Sequence, residues 1–557
     1  MIATDQWKPA DGLTLEPNAL RAATETIRSL ALTAGPGAGK TEMLAQRADF
    51  LFRTGTCCYP RRILAISFKV DASKNLKERV ARRCGRDFGA RFDSYTFHSF
   101  AKRIIDRFRP ILMGDQSLDV GYSIVERKNG PSRQEIEFND LVPFAIEILT
   151  HSEVARNAIR QTYSDVFLDE FQDCTNLQYE LLKIAFQGTN VRLTAVGDTK
   201  QKIMSWAGAL EGIFESFAND FNAVALNMYR NFRSKPVLLR LQNEIIRDLD
   251  PASVMPVEQL EGEEGEVLAW KFKDSKHEAG YLADCIFKWV HDEKIPHSEI
   301  AVLVSKQLSL YASDLMEELD NRGIAYRNEQ EMQDLSSEPL ARLIVDYLLC
   351  IYGEREPKAW VRLTEQLIPF ADDEIQARGR HNLNSLIQEQ RKNVVFDSLS
   401  DESLSSWWSC IVTLIEHIGT EVLASLHADY EVQSRIKKVI TDTKDRIEEL
   451  LQQEPDLLKA LARFSDDQSV RILTIHKSKG LEFDSVIMMA VEKEIFFGKP
   501  DEELCAFFVG VSRAKKRLML THANHRDRPQ NHQDYWRENR TPQSAYFAYA
   551  LPFCKQS

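Results

Sequence analysis

Residues Ala34–Thr41 read A-G-P-G-A-G-K-T. The apolar run Leu30-Ala31-Leu32 precedes them, and the helix-forming run Glu42-Met43-Leu44-Ala45-Gln46-Arg47-Ala48 follows. This order predicts strand, loop and helix, the setting in which a phosphate-binding loop works. Gly35, Gly37 and Gly39, with Ala38 between the last two, let successive backbone N–H groups turn inward around an anion. The helix that opens at the end of the loop aims its dipole at the same point. Lys40 would reach the outer phosphates, Thr41 would hold Mg²⁺, and Glu42 would stand in the first helical turn beside them. The first position of the pattern is Ala34 instead of glycine. The competing reading is an ordinary Gly-rich turn that carries a Lys-Thr pair. The loop therefore points to a nucleoside triphosphate.

Composition bounds what that triphosphate can serve. At 557 residues, 43% hydrophobic and 28% charged, the chain is long enough for several cores and has a soluble, globular balance. Its largest apolar runs, such as Val486–Val491, are far too short to cross a bilayer. The start, M-I-A-T-D-Q-W-K-P, lacks a charged-then-apolar signal pattern, so a cytoplasmic protein with no membrane partner is expected. Nine scattered cysteines with no C-x-x-C argue against a zinc or iron–sulfur site and suit a reducing compartment. A net charge of −12, from 71 basic and 83 acidic residues, argues against a chain coated in nucleic acid. It leaves room for a local basic track.

Such a track begins after Arg61–Phe68, a β-rich run that passes through Lys69 into a helix over Ala72–Cys84. Seven basic residues stand between Lys69 and Arg86 against Asp71 and Glu78; a solvated helix face is the plain alternative. Tyr95–Lys102, Y-T-F-H-S-F-A-K, then interleaves aromatics, hydroxyls and bases, the mixture that grips a sugar-phosphate backbone and stacks bases. His98 taken alone reads equally as a packed core histidine. Residues 106–159 carry weak signals and read as a small insertion, helical around Asn139–Leu149. Val166-Phe167-Leu168 then delivers Asp169 and Glu170 to a strand end, where an α/β sheet places its site. Asp169 is the natural Mg²⁺ partner opposite Thr41, and Glu170 would activate the attacking water. The strand Leu193–Val196 runs into G-D-T-K-Q, placing Gln201 where it can sense a γ-phosphate, and Trp206 could stack a base. Residues 226–234 set Arg230 and Arg233 beside Tyr229 and Phe232.

Further strands are expected at Val267–Phe272, Ile300–Val304, Val470–Ile475, Val486–Met489 and Leu518–Thr521. Between roughly 345 and 460 the strand signals vanish. Val432, Ile436, Val439, Ile440, Ile447, Leu450 and Leu451 have helical spacing there. His476 to Phe483, H-K-S-K-G-L-E-F, follows one strand, and Arg513 precedes another; a loop arginine facing a phosphate loop can act as an arginine finger.

Taken in order, these stretches resemble the motifs of superfamily 1 helicases of the UvrD/Rep/PcrA type over about residues 13–522. A-G-P-G-A-G-K-T resembles the first motif, and I-L-A-I-S-F-K-V and T-F-H-S-F the DNA-contacting pair. D-E-F-Q-D resembles the second ATPase motif, and V-G-D-T-K-Q-K-I-M-S-W-A-G-A the third. N-F-R-S, T-I-H-K-S-K-G-L-E-F and V-G-V-S-R-A-K-K-R-L resemble the later ones. The resemblance implies an α/β fold of two RecA-like P-loop domains. The first would comprise 1–105 and 160–235, with a small insertion at 106–159. The second would comprise 236–344 and 461–522, with a helical insertion at 345–460, and a tail would follow at 523–557. It implies ATP and Mg²⁺ as cofactors, with Phe232 stacking the adenine, Glu482 contacting the ribose, and Gln201, Arg233 and Arg513 sensing the γ-phosphate. It implies single-stranded DNA touching Phe68, Lys69, Thr96, His98, Trp206 and His476, and 3′-to-5′ translocation. Ala19 stands where the family has a Gln that reads adenine, and Ala207 where its third motif has an arginine. With its short insertions the chain resembles a compact relative that works beside a partner protein, as do helicases paired with nucleases in phage-defence systems of the Gabija kind. That implies a second reading: a nucleic-acid- or nucleotide-sensing ATPase that regulates a partner effector.

Overall fold

In the N-terminal part the strands are β1 (Leu30–Ala34), β2 (Arg62–Ser67), β3 (Phe92–Thr96), β4 (Ser123–Val125), β5 (Glu135–Glu137), β6 (Tyr163–Leu168), β7 (Arg192–Gly197) and β8 (Val224–Met228). The structure is a computed structural model. It describes all residues except 69, 126, 129, 131, 202–209, 211, 329–334, 336–337, 369–372, 398–405, 420–422, 424–429, 431–432, 454, 465–468, 530–534 and 555–557. Two units form: Met1–Glu278, Leu303–Tyr311 and Thr474–Ser557 make the first, and Ala279–Val302 and Ala312–Leu473 the second.

Six of these strands make one sheet in the order β3-β2-β6-β7-β1-β8, every neighbouring pair parallel. Each residue of β6 is buried, as helices on both faces of a parallel sheet require. β4 and β5 pair separately as a two-stranded sheet. Local chemistry sets several boundaries. Thr175 and Gln178 form a reciprocal capping box that starts the helix Asn176–Phe186. The hydroxyl of Thr96 accepts from the Ser99 amide at 3.2 Å and starts the helix Phe97–Phe108.

The later strands are β9 (Glu266–Phe272), β10 (Ile300–Val304), β11 (Tyr326–Asn328), β12 (Val470–Thr474), β13 (Phe483–Met488) and β14 (Ala514–Ala523). In the first unit β14 pairs in parallel with β9 and with β13. In the second, β11 pairs in parallel with β12. The second unit also holds helices Pro339–Tyr352, Pro357–Leu367, Asp373–Asp397, Ser406–Ile418, Gln433–Gln453 and Leu457–Phe464. They enclose their own apolar core, to which Ile436, Val439, Ile447 and Leu450 contribute the stripe their spacing predicts. Val432 lies outside the described residues.

The tail, which the sequence leaves unassigned, packs into the first unit. His525 bridges Asn539, Glu492 bridges Pro542, and Val267 bridges Cys554. Tyr546 is buried, stacked on Phe507 at 4.2 Å. Arg526 donates to Glu278 at 2.6 Å and to Glu492 at 2.8 Å, all three buried. Arg526→Met removes one partner of a buried ionic group and leaves two carboxylates facing each other. We expect this to cost about 3–5 kcal/mol. It should appear as an earlier first transition in urea unfolding, which Arg526→Lys restores only in part.

Candidate nucleotide site

The loop leaves β1 and enters the helix Lys40–Arg53 through Gly39, whose φ is +78°. Gly37, at φ +69°, is the tightest point. A Cβ there would stand 2.6 Å from Arg233 Cβ and 2.6 Å from Asn231 Oδ1. Only glycine lets the 230–233 turn lie on the loop. That turn is held in place because the Phe232 amide donates to the Gly37 carbonyl at 2.9 Å. Asn231 Oδ1 also accepts from the amides of Arg233 at 2.7 Å and Ser234 at 3.1 Å. Phe232 thereby sits beside Gly39, 57% exposed, with the Arg230 guanidinium 4.9 Å from its ring centre. The Lys40 ammonium lies 3.4 and 3.5 Å from the carbonyls of Ala34 and Gly35, long contacts that phosphate oxygens would outcompete.

Asp169 continues the line of β6, its amide donating to Ile66 of β2 at 3.1 Å. Glu170 then turns the chain at φ +52°, a left-handed conformation uncommon outside glycine. Gln172 fixes its carboxylate from Nε2 at 2.6 Å, while Gln172 Oε1 accepts from the Asp198 amide at 2.9 Å. Burial pushes the Asp169 carboxyl well above its usual range and the adjacent Glu170 adds to this, with Lys40 opposing. For Glu170 burial is outweighed by Lys40, Lys479, the Gln172 bond and Arg513, which hold it below its usual range. A buried Asp169, raised by its burial and then by the half-buried, ionised Glu170 beside it, favours a cation between protein and substrate. The oxygen donors of Thr41 and Asp169 fit Mg²⁺, an ion that takes few protein ligands and completes its shell with water and phosphate.

Gln201 joins this cluster to the later motifs. Its Nε2 donates to Asp198 at 2.8 Å, its Oε1 accepts from Arg513 at 3.0 Å, and its carbonyl accepts from Lys479 at 2.8 Å. Lys479 also binds both oxygens of Asp173, at 2.9 and 2.7 Å. Arg513, only 1% exposed, finds its other acceptors at Val509, Leu481 and Ser512. Burial, and then Arg233, pull its pKa down to about 9. Arg233 donates to Glu482 at 2.7 Å and to the Ser512 carbonyl at 3.1 Å.

The structure thus brings Lys40, Asp169, Glu170, Gln201, Arg233, Arg513, Phe232 and Glu482 together within the first unit. Glu482 faces Arg233 and Lys515. Glu42 turns away from the loop, accepting from Gln46 at 2.8 Å and from Arg83 at 2.9 Å. Ala19 is buried, and the amide of its neighbour Asn18 donates to the Asn227 carbonyl. Of the residues read as DNA contacts, Phe68 packs on Phe97, Thr96 caps its helix, and His98 stacks on Phe138 at 4.2 Å. His476 is half-buried, and its pKa is lowered by burial, then by Lys306. Lys69, Trp206 and Ala207 lie outside the described residues. Sequence reading gave no role to Asn231, Gln172, Asp198 or Lys479. Each lies inside a quoted motif; Gln172 and Lys479 reach partners in other segments, at Asp198 and at Asp173 and Gln201, whereas Asn231 bonds amides of its own turn.

A parallel α/β sheet with a phosphate loop, paired acids at the next strand end and a buried arginine on their far side defines a P-loop nucleoside triphosphatase. The comparisons narrow this. The UvrD/REP helicase N-terminal domain matches residues 15–113 and 122–222, and the UvrD-like helicase C-terminal domain matches 226–402 and 418–525. The chain belongs to the UvrD-like helicase family. It is 23% identical to a probable DNA helicase II homolog of Mycoplasma genitalium, over 87% of this chain and 82% of that one. It is 23% identical to DNA helicase II of Escherichia coli, over 89% and 83%. It is 22% identical to the ATP-dependent DNA helicase PcrA of Leuconostoc citreum, over 89% and 80%.

Two substitutions probe the loop. Lys40→Ala should bring triphosphate hydrolysis to background while leaving the melting temperature within a degree or so, since the ammonium makes only long contacts. Gly37→Ala should lower kcat/KM by at least about tenfold by lifting the 230–233 turn from the loop. Steady-state hydrolysis and thermal melting of both variants check this.

Proposed function

We propose that the chain is an ATP-driven motor that moves 3′ to 5′ on single-stranded DNA and separates tailed duplexes in the cytoplasm. Residues 1–105 and 160–235 would form one RecA-like half and 236–344 with 461–522 the other. The observation that carries this reading is the bond between Gln201 and Arg513. It links the strand end beside the acids to a helix end some three hundred residues later in the chain.

The mechanism follows from these side chains. The loop amides and Lys40 bind the β- and γ-phosphates. Thr41 and Asp169 would hold Mg²⁺, which neutralises phosphate charge when bound. Glu170, held ionised by its cationic neighbours, takes the proton of the attacking water. Arg233 and Arg513 stabilise the charge that develops on the γ-phosphate. To do so, Arg233 exchanges Glu482 for phosphate, and Arg513 turns from Gln201. The triphosphate state is thereby relayed through Gln201 and Lys479 to Asp173 and to the segment that carries His476. Phe68, Lys69, Thr96, His98, Trp206 and His476 would grip the strand through stacking and phosphate contacts, which tolerate any sequence.

Hydrolysis should rise severalfold with single-stranded DNA over no nucleic acid or RNA. A 3′-tailed duplex should be unwound in preference to a 5′-tailed one. DNA-stimulated hydrolysis without strand separation would instead fit an ATPase that regulates a partner effector such as a nuclease. Glu170→Gln should keep ATP binding but slow turnover by about 10²–10⁴-fold. Unaltered single-turnover hydrolysis in that variant would move the base elsewhere.

A further inference from the structure

Ser234 directly follows Arg233, and Ala514 directly follows Arg513. The Ser234 hydroxyl donates to the Ala514 carbonyl at 2.8 Å. The Lys235 amide donates to the Lys515 carbonyl at 2.8 Å, and Arg233 itself donates to the Ser512 carbonyl at 3.1 Å. Two segments far apart in sequence thus run side by side, and the serine bond is one residue from each arginine. A hydroxyl has a single proton and rotates to suit its neighbours, so its direction is fixed only when a lone pair is engaged as well. Gln242 makes that second contact, 3.1 Å from Ser234 Oγ. Because the Ala514 carbonyl can only accept, the serine proton is committed to it, and the glutamine must present Nε2. Gln242 is fully buried on the helix Pro236–Leu249, which begins just after Ser234. That helix packs against the helix Pro500–Val511, which ends just before Arg513. Gln242 Oε1 has no hydrogen-bond partner among the described residues, and the side chain lines a hollow with Gly35, Pro36, Asn231 and Lys200. A buried amide engaged on one side only costs free energy that an apolar side chain of similar length does not. Stability alone therefore does not account for this glutamine, whereas the bond it donates to the serine does.

We propose that Gln242 is a positioning residue for ATP hydrolysis: it orients the Ser234 hydroxyl, which fixes the backbone spacing of Arg233 and Arg513. The inference rests on the reading of these two arginines as γ-phosphate partners. It adds to that reading a residue that lies in none of the quoted motifs. On that reading both guanidiniums leave acceptors they now hold, Glu482 and Gln201, to reach phosphate. With backbones free to shift separately, one arginine engages while the other lags. Tied through Ser234 and Ala514, they meet the γ-phosphate together. The gain is realised as charge develops there, so it belongs to the transition state and not to ground-state binding.

Gln242→Met keeps the length of the side chain and removes the donor. Steady-state and single-turnover hydrolysis by the full chain, read beside binding of a fluorescent ATP analogue, test the proposal. kcat should fall by about 5–50-fold, since a displacement of about 1 Å can cost on the order of 10²-fold. The Kd of the analogue and the melting temperature should match those of the parent. Ser234→Ala should give the same pattern, and adding Gln242→Met to it should cost nothing further, because both act through one hydroxyl. Parent-like kcat in Gln242→Met overturns the proposal. So does an additive loss in the double variant, or a loss of nucleotide affinity in step with kcat. Parent-like turnover in both Arg233→Ala and Arg513→Ala overturns the reading of the arginines, and the proposal falls with it.

Discussion

A guanidinium taken out of water must be met by acceptors on every side, or the fold loses several kilocalories per mole. Arg513 is in that position. Its acceptors come from the helix that precedes it, from Leu481 just ahead of β13, and from Gln201 just beyond β7. The last is the decisive one, because it belongs to the sheet that carries the phosphate loop. One buried charge therefore joins two strand systems that are far apart in sequence. Lys479 repeats the arrangement on the other side of Gln201, with Asp173 as its counter-ion. Around this pair the acids, the loop and the 230–233 turn settle into one site.

Much of this was legible because phosphate chemistry is local. Strand, glycine loop and helix follow one another without interruption from Leu30 to Arg53, and β6 hands Asp169 and Glu170 directly to the same edge. The α/β fold and the helicase family could be read from such stretches taken in order. What could not be read depends on partners distant in sequence. Glu42 reads as a residue of the loop, yet Arg79 and Arg83 of the next helix claim its carboxylate. Thr96 reads as a contact with nucleic acid, and its hydroxyl has a second, local task as a helix cap. The T-x-x-S spacing was the available signal. The tail reads as polar and formless because Arg526 and Arg540 gain meaning only beside Glu492. β3 and β8 are short, and each takes its place from its neighbours in the sheet more than from its own pattern.

On the proposed mechanism, the same geometry explains how the arginines would report on the nucleotide. Each is already satisfied without it: Arg233 by Glu482, and Arg513 by Gln201 and three further acceptors. Binding a triphosphate would therefore exchange one set of partners for another instead of filling a void. The difference between two satisfied states can be small enough for hydrolysis to reverse it. Gly37 contributes by letting Arg233 stand against the loop while it is still bound to Glu482.

The first unit is assembled from three separate stretches of chain, the last of which begins at Thr474. A ribosome delivers the phosphate loop and both acids early, but Lys479 and Arg513 emerge only after the whole helical unit has been made. During synthesis the nascent polypeptide holds a loop able to grasp nucleotide and lacks the cations that complete the cleft. On the proposed mechanism a half-made chain would therefore bind nucleotide without the arginine that completes hydrolysis.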